Sequence, residues 1–168
     1  MRKAISALAA GLLIAALIFF NQPEAREAGG SAVGETLPDF SVTCVNGDPF
    51  TLSAQRGKVT VINVWATWCG PCIQEMAGFD QLRREYPQDV AVLMLHSELV
   101  TEDVTAWLSG YDYDLAFAVD EEGRIAALLG ASDLLPQTVI LDRAGKVIYN
   151  RAGAMGYEAL RRLTAEGF

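Results

Sequence analysis

Two cysteines bracket a Gly-Pro pair in Trp65-Ala66-Thr67-Trp68-Cys69-Gly70-Pro71-Cys72, which follows directly on the apolar run Val59 to Val64. The nearly continuous apolar run predicts a central strand covered on both faces. Pro71 suits the first turn of a helix, because the N–H group that proline lacks would have no partner there. The chain is therefore expected to pass from a buried strand into a helix at the first cysteine.

This placement favours thiol–disulfide chemistry. The free backbone N–H groups and the dipole at a helix N-terminus stabilise a thiolate at Cys69. A thiolate is the attacking species in disulfide exchange, and Cys72, one turn further and more buried, can resolve the mixed disulfide. A purely structural disulfide fits less well, because so short a loop gains little from cross-linking.

The first twenty residues predict a segment that addresses the chain to a membrane. Arg2 and Lys3 precede an uncharged stretch, residues 4–20, as in secretory signals and short anchors. No clean small-residue cleavage site follows, so we expect an uncleaved anchor over 1–20, with a cleaved signal and secretion as the alternative. The basic flank would stay in the cytoplasm and place the domain outside. Residues 21–34 read as a flexible spacer.

The charge of the exported part argues against nucleic acid as a partner. Of the 13 Lys and Arg residues, Arg2 and Lys3 lie in the anchor, which leaves 11 against 21 Asp and Glu residues. Such an acidic domain has no electrostatic footprint for nucleic acid. We therefore expect no nucleic-acid partner.

Beyond the spacer, the pattern predicts short strands alternating with helices. A hairpin around Asn46-Gly47-Asp48 comes first. The later elements are predicted as a helix at 71–86, a strand at 90–95, a helix at 101–109, a strand at 115–119, a helix at 121–129, a hairpin over 137–151 and a helix at 156–165. A βαβ half followed by a ββα half, with the cysteine pair after the first central strand, predicts an α/β thioredoxin-like fold. Its mixed central sheet would be flanked by helices and preceded by the hairpin.

Several motifs along the chain narrow the fold assignment to a family. They are Pro38-Asp39-Phe40, the segment Trp65 to Cys72, Glu75, Leu135-Pro136-Gln137-Thr138 and Asp142-Arg143-Ala144-Gly145-Lys146. With them, Glu35 to Phe168 resembles the domain of TlpA/ResA-type membrane-anchored thioredoxin-like proteins, relatives of the DsbE reductases. The resemblance implies a Cys69–Cys72 redox disulfide and no cofactor.

The resemblance also implies partners. Electrons would arrive from a membrane thiol donor of the CcdA/DsbD kind. Clients would be disulfide-containing exported proteins, such as apocytochrome c during cytochrome c maturation or oxidised methionine sulfoxide reductase. A disulfide oxidase or isomerase stays open as an alternative direction of the same chemistry.

Two other classes use cysteines differently. Peroxiredoxins share the Pro38-Asp39-Phe40 opening but place Pro seven and Thr or Ser three residues before the reactive cysteine, where this chain has Ile62 and Ala66. A zinc site is a poor match for two cysteines and one distant histidine, His96. A copper-handling or scaffold domain that uses the thiols as ligands is the non-enzymatic alternative.

Glu75 is the predicted acid–base residue. It lies three positions after Cys72, on the same helix face, and burial would raise its pKa towards the working range. The resemblance supports this role, because related proteins place a glutamate here. A solvated glutamate favoured by the helix dipole is the alternative. Thioredoxin is thought to use an acidic residue in the preceding strand, where this chain has Asn63, which cannot titrate.

The resemblance further implies a substrate groove beside the cysteine pair. The peptide bond before Pro136 is expected to be cis, and the Leu135 backbone would pair with an extended segment of substrate. Trp68, Pro71, Leu135 and Gly153 would frame the groove, with Gly153 allowing close approach of backbone. An ordinary trans turn proline is the alternative.

Overall fold

The computed structural model describes residues 31–97 and 104–168. Its strands are β1 (Ser41–Thr43), β2 (Pro49–Thr51), β3 (Val59–Trp65), β4 (Val90–Ser97), β5 (Ala116–Asp120), β6 (Gln137–Leu141) and β7 (Val147–Ala152). Its helices are α1 (Gly70–Glu85), α2 (Val104–Leu108), α3 (Arg124–Leu129) and α4 (Tyr157–Ala165), with a 3-10 turn at Ser53–Gln55. The predicted anchor, residues 21–30 of the predicted spacer and the start of the predicted 101–109 helix lie outside the described residues.

The central sheet has the strand order β5-β4-β3-β6-β7. The strands β3, β4 and β5 run parallel, whereas β6 pairs antiparallel with both β3 and β7. All seven residues of β3 are buried, as expected for an apolar strand covered on both faces. This is the predicted mixed sheet of the thioredoxin-like fold, and it places the C-terminal end of β3 directly before the cysteine pair.

Each face of the sheet carries its own core, because successive side chains of a strand point to opposite faces. The face covered by α1 and α4 buries alternate residues of β3 together with both site cysteines: Val59, Val61, Trp65, Cys69, Cys72, Phe79 and Leu160 among others. The opposite face packs against the N-terminal hairpin and α3: Leu37, Cys44, Phe50, Ile62, Ile125 and Leu129 among others. The odd-numbered side chains of β3, Asn63 included, therefore lie on the α1 side.

The N-terminal segment reaches both edges of the central sheet. In the turn between β1 and β2, the Val45 N–H donates to the Phe117 carbonyl of β5 at 2.8 Å. At the other edge the Gly34 N–H donates to the Val147 carbonyl of β7 at 2.8 Å. Ser31 is also fixed, since its hydroxyl donates to the Leu128 carbonyl at 2.7 Å. The predicted hairpin is thus part of the domain and covers the β5 edge, while the chain before the hairpin covers the β7 edge.

Cys44, in the hairpin, is a free and buried thiol. It is 7% exposed and packs in the core on the α3 side, where it serves as a small buried hydrophobe. Burial raises the pKa of its thiol, which disfavours the reactive thiolate.

One helix begins later than the sequence predicts. The helix predicted from residue 121 starts at Arg124, because Gly123 adopts a left-handed conformation with φ 65°. The preceding turn is closed by the Gly123 N–H, which donates to the Asp120 carbonyl at 2.9 Å. The Asp120 carboxylate then accepts the Ala126 N–H at 2.7 Å and satisfies a donor of the first turn.

Candidate active site

The cysteine pair is built into the start of α1. Cys69 is the N-cap residue, and its Sγ accepts the backbone N–H of Cys72 at 3.3 Å. A disulfide joins the two residues, with 5.3 Å between their Cα atoms. Cys69 is 4% exposed and Cys72 is 0% exposed, the order predicted for an attacking and a resolving cysteine. No acidic side chain lies in the first turn of α1 to oppose a thiolate.

Glu75 is buried one helical turn beyond Cys72. It is 7% exposed, which does not fit the alternative of a solvated glutamate. Its Oε1 accepts the Asn63 Nδ2 at 2.8 Å, and its Oε2 accepts the backbone N–H of Met155 at 2.9 Å. Burial raises the pKa of Glu75, and the two hydrogen bonds pull that pKa partly back down. The carboxyl group is therefore placed for proton transfer at higher pH than an ordinary glutamate.

Asn63 links this carboxylate to the sheet. Its Nδ2 also donates to the Thr138 hydroxyl at 3.1 Å, and the two residues are cross-strand partners in the β3–β6 register. Both are 0% exposed. Sequence reasoning identified Asn63 as unable to titrate but missed its hydrogen bonds to Glu75 and Thr138, since cross-strand register is not written in the local pattern.

The Leu135–Pro136 peptide bond is cis, as the resemblance implied. Leu135 is half-buried and packs against the same core that contains Cys69 and Cys72. The Gly153 N–H donates to the Pro136 carbonyl at 2.8 Å. Pro136 and Gly153 therefore lie next to each other at the end of the β6–β7 ladder.

Gly153 has a backbone reason for being glycine. Its φ is 110°, a conformation that side chains disfavour, while an added Cβ would meet no atom within 4 Å. Within the domain, close approach is thus not what requires glycine. The space beside Gly153 is open.

A family model and similar proteins agree with this geometry. The model of the Redoxin family matches residues 32–164. The chain belongs to the Redoxin family. Thioredoxin-like protein YneN of Bacillus subtilis is 31% identical over 154 residues, which cover 87% of this chain and 89% of that protein. Thiol-disulfide oxidoreductase ResA of Bacillus cereus is 30% identical over 143 residues, covering 84% and 79%.

Among solved structures, a candidate thiol:disulfide interchange protein DsbE from Chlorobium tepidum superposes with a TM-score of 0.74 at 27% identity. The match covers 82% of this chain and 99% of that one. This Redoxin-family chain is accordingly a thiol–disulfide oxidoreductase of thioredoxin-like fold with Cys69 and Cys72 as its CxxC pair, related to ResA and DsbE.

Two of the residues predicted to frame a groove in this Redoxin-family protein are solvent-facing. Trp68 is 56% exposed and Pro71 is exposed, so both are open to a partner. Leu134 is 69% exposed and was missed by sequence reasoning, because an apolar residue in a short loop is not distinguishable from a core residue. Large exposed apolar side chains beside a site are typical of contact surfaces.

Trp65 lies in the core beneath the motif. It is 0% exposed, and its ring lies 5.1 Å from the His96 ring, 5.2 Å from Trp107 and 5.8 Å from Phe117, measured between centroids. It thereby anchors the end of β3 from which the cysteine loop departs.

Two further observations concern ligands and membranes. Among residues 31–97 and 104–168, no group of three or more His, Cys, Asp and Glu side chains is arranged to hold a metal ion. Within the same residues, no helix combines the length and the apolar character needed to cross a bilayer.

Proposed function

We propose that this oxidoreductase reduces disulfides of exported proteins on the extracytoplasmic side of a membrane. In the reduced protein the Cys69 thiolate attacks one sulfur of a client disulfide, whose S–S bond breaks as a Cys69–client disulfide forms. The released client thiolate takes up a proton. Cys72 then gives its proton to Glu75 and attacks the Cys69 sulfur. The Cys69–client bond breaks, and the second client sulfur leaves as a thiolate that takes up a proton from water. Two electrons pass to the client, and the Cys69–Cys72 disulfide is left.

The observation that carries this proposal is the buried Glu75 carboxylate one helical turn beyond Cys72. A base with a raised pKa, on the helix face of the resolving thiol, is suited to take the Cys72 proton and to return it when the disulfide is opened again. Without such a group, Cys72 would stay a poor nucleophile, because a buried thiol holds its proton.

The reducing direction rests on the residues between the cysteines. Gly70 and Pro71 are the pair found in thioredoxin, whose potential is about −270 mV, far below about −120 mV for the oxidant DsbA. Thiolate stabilisation at the helix start acts in the opposite sense, because it favours the reduced protein. A measurement of the reduction potential of the Cys69–Cys72 pair is therefore needed to decide between a reductase and an oxidase or isomerase.

The location and the partners follow from the N-terminal sequence and the family resemblance. Residues 1–20 would anchor the chain, and a membrane thiol carrier of the CcdA/DsbD kind would re-reduce the disulfide. Apocytochrome c with oxidised haem-site thiols and oxidised methionine sulfoxide reductase are the proposed clients. The role in cytochrome c maturation is part of this proposal.

A redox-buffer titration of the full chain in detergent micelles tests the direction. We expect a reversible two-electron transition near thioredoxin's potential, followed by Trp fluorescence and thiol alkylation. Cys44→Ala should leave the transition unchanged, and Cys69→Ser should abolish it. A potential near that of DsbA would contradict the reductase and favour an oxidase or isomerase.

Absence of any reversible transition would contradict thiol–disulfide exchange altogether. In that case stoichiometric Cu(I) binding that survives competition by a thiol buffer would identify a copper-handling domain instead. A Cys72→Ser variant, which cannot resolve the mixed disulfide, should accumulate a covalent Cys69–client species and so identify the client.

A further inference from the structure

The groove-wall segment, Gly153 to Met155, is held at both ends by residues of the active site. It connects the end of β7 to α4. At its start the Gly153 N–H donates to the Pro136 carbonyl at 2.8 Å, and at its end the Met155 N–H donates to Glu75 Oε2 at 2.9 Å. The segment therefore spans from the cis-proline loop to the carboxylate of the redox helix.

The carboxylate that holds this segment is itself fixed on its other side. Asn63 occupies Oε1 of Glu75 at 2.8 Å, which leaves Oε2 for Met155. Asn63 is fixed in turn by Thr138 at 3.1 Å, two residues after Pro136. Four elements, β6, β3, α1 and the groove-wall segment, thus meet through one chain of hydrogen bonds, in which the side chains of Thr138, Asn63 and Glu75 are buried.

We propose that Glu75, oriented by Asn63, is the positioning residue of the groove wall. The carboxylate then has two roles, because docking of an extended client segment beside Leu135 depends on it and proton transfer depends on it too. The inference rests on the proposed function, and it takes the groove that the family resemblance implies beside Leu135 as the place where the client docks. Burial makes the tether matter, because a Met155 N–H that loses its acceptor next to the core forfeits a charge-assisted hydrogen bond.

The Glu75 carboxylate is the charged group that contacts the groove-wall segment. Burial, the Met155 N–H and the Asn63 amide determine the shift of its pKa, and no charged side chain is among those causes. On α1 the titratable neighbour is Cys72, which is in the disulfide. On α4 the Tyr157 hydroxyl donates to Glu85.

Substitutions at position 75 separate the two roles. In Glu75→Gln, the side-chain carbonyl can still accept the Met155 N–H. Its NH₂ group can donate to Asn63 Oδ1, which has no hydrogen-bond partner in the structure, once the Asn63 amide turns over. The Thr138 hydroxyl can then donate to the same oxygen. Gln therefore keeps the tether but cannot carry a proton, whereas Glu75→Leu loses both.

The experiment uses the full chain in detergent micelles with two readouts. One is hydrogen exchange of the Met155 amide, and the other is the steady-state reduction of a disulfide-form Cys-x-x-Cys-His peptide. We expect Glu75→Gln to lower kcat with KM unchanged. Glu75→Leu should lower kcat, raise KM and speed Met155 exchange about tenfold. Glu85→Gln, on the same helix, should change neither readout.

Equal Met155 exchange in Glu75→Leu and Glu75→Gln would overturn the positioning role, as would an unchanged KM in Glu75→Leu. If Glu85→Gln raised KM as much as Glu75→Leu does, the positioning role would also be overturned, because any loosening of α1 against α4 would then be enough to weaken client binding. Hydrogen exchange of the Met155 amide does not depend on the direction of electron flow. If the reductase assay fails, the exchange measurement still tests the positioning role of Glu75, so that failure of the proposed function can be distinguished from failure of this inference.

If Glu75→Leu does not fold, Met155→Pro supplies the second variant. It removes the N–H donor and leaves Glu75 and Asn63 in place. We expect a raised KM with kcat retained, and an unchanged KM would contradict the tether.

Discussion

Two glutamates on one helix hold the same part of the protein in opposite environments. Glu75 and Glu85 both lie on α1, and their partners, the Met155 N–H and the Tyr157 hydroxyl, are two residues apart. Glu75 is buried, and burial raises its pKa. Glu85 is at the surface, and its hydrogen bond from Tyr157 lowers its pKa.

The difference teaches that position on the sheet, rather than residue type, decides what a carboxylate does here. Glu75 faces the buried side chains of β3, where the charged form loses its hydration and the pKa of the carboxyl group is raised. Glu85 stays in water, where its ionised form is stabilised and raises the pKa of Tyr157 to about 12. One residue is therefore suited to chemistry and the other to fastening α4.

The largest expected difference between the two is in the rate of disulfide exchange. Glu75→Gln should slow reduction of a client disulfide at neutral pH about 10²-fold, the lower end for loss of general acid–base catalysis. Glu85→Gln should leave the rate unchanged, because Glu85 has no contact with the cysteine pair. Stopped-flow reduction over a range of pH measures both. An unchanged rate and pH profile in Glu75→Gln would remove Glu75 from the mechanism.

The next difference is the sign of the pH dependence of stability. The folded-state pKa of Glu75 is raised above its ordinary value of 4.5, so between these values the folded protein binds more protons than the unfolded one. Its free energy of unfolding should therefore fall as the pH rises through this window. Relative to the natural protein, Glu75→Gln should gain stability as the pH rises above 4.5.

For Glu85 the sign is reversed. Its folded-state pKa is lowered from 4.5, so its contribution is present above 4.5 and is lost as the pH falls through the lowered value. Denaturant melts of both glutamine variants at matched pH values measure the two trends. Trends of the same sign in both variants would contradict the contrast between buried and exposed carboxylates.

The last difference concerns the ionisation of Tyr157. In Glu85→Gln the neutral amide no longer opposes formation of the tyrosinate, so the pKa of Tyr157 should fall from about 12 towards its ordinary 10.0. NMR titration of ring-labelled tyrosines follows this group, with Glu75→Gln as the control that should leave it in place. A Tyr157 pKa that stays near 12 in Glu85→Gln would show that another group sets it.

Local patterns were sufficient for much of the fold. The apolar run before Trp65 and the Gly-Pro pair predicted β3 and the start of α1, because burial period and proline placement act within a few residues. They were less exact where a single backbone conformation decides a boundary. At Gly123 a left-handed residue delays α3 by three residues relative to the prediction, and glycine content alone does not reveal φ.

The sequence by itself determined the cysteine pair, its position at a helix N-terminus and the placement of Glu75 on the face of Cys72, since each depends on spacing along one helix. The cis bond before Pro136 came from resemblance to a known family rather than from local pattern. Only the tertiary structure brought Met155 to Glu75, 80 residues away in the chain, and Thr138 to Asn63. A backbone N–H has no side-chain signature, and a cross-strand partner is fixed by the register of the folded sheet.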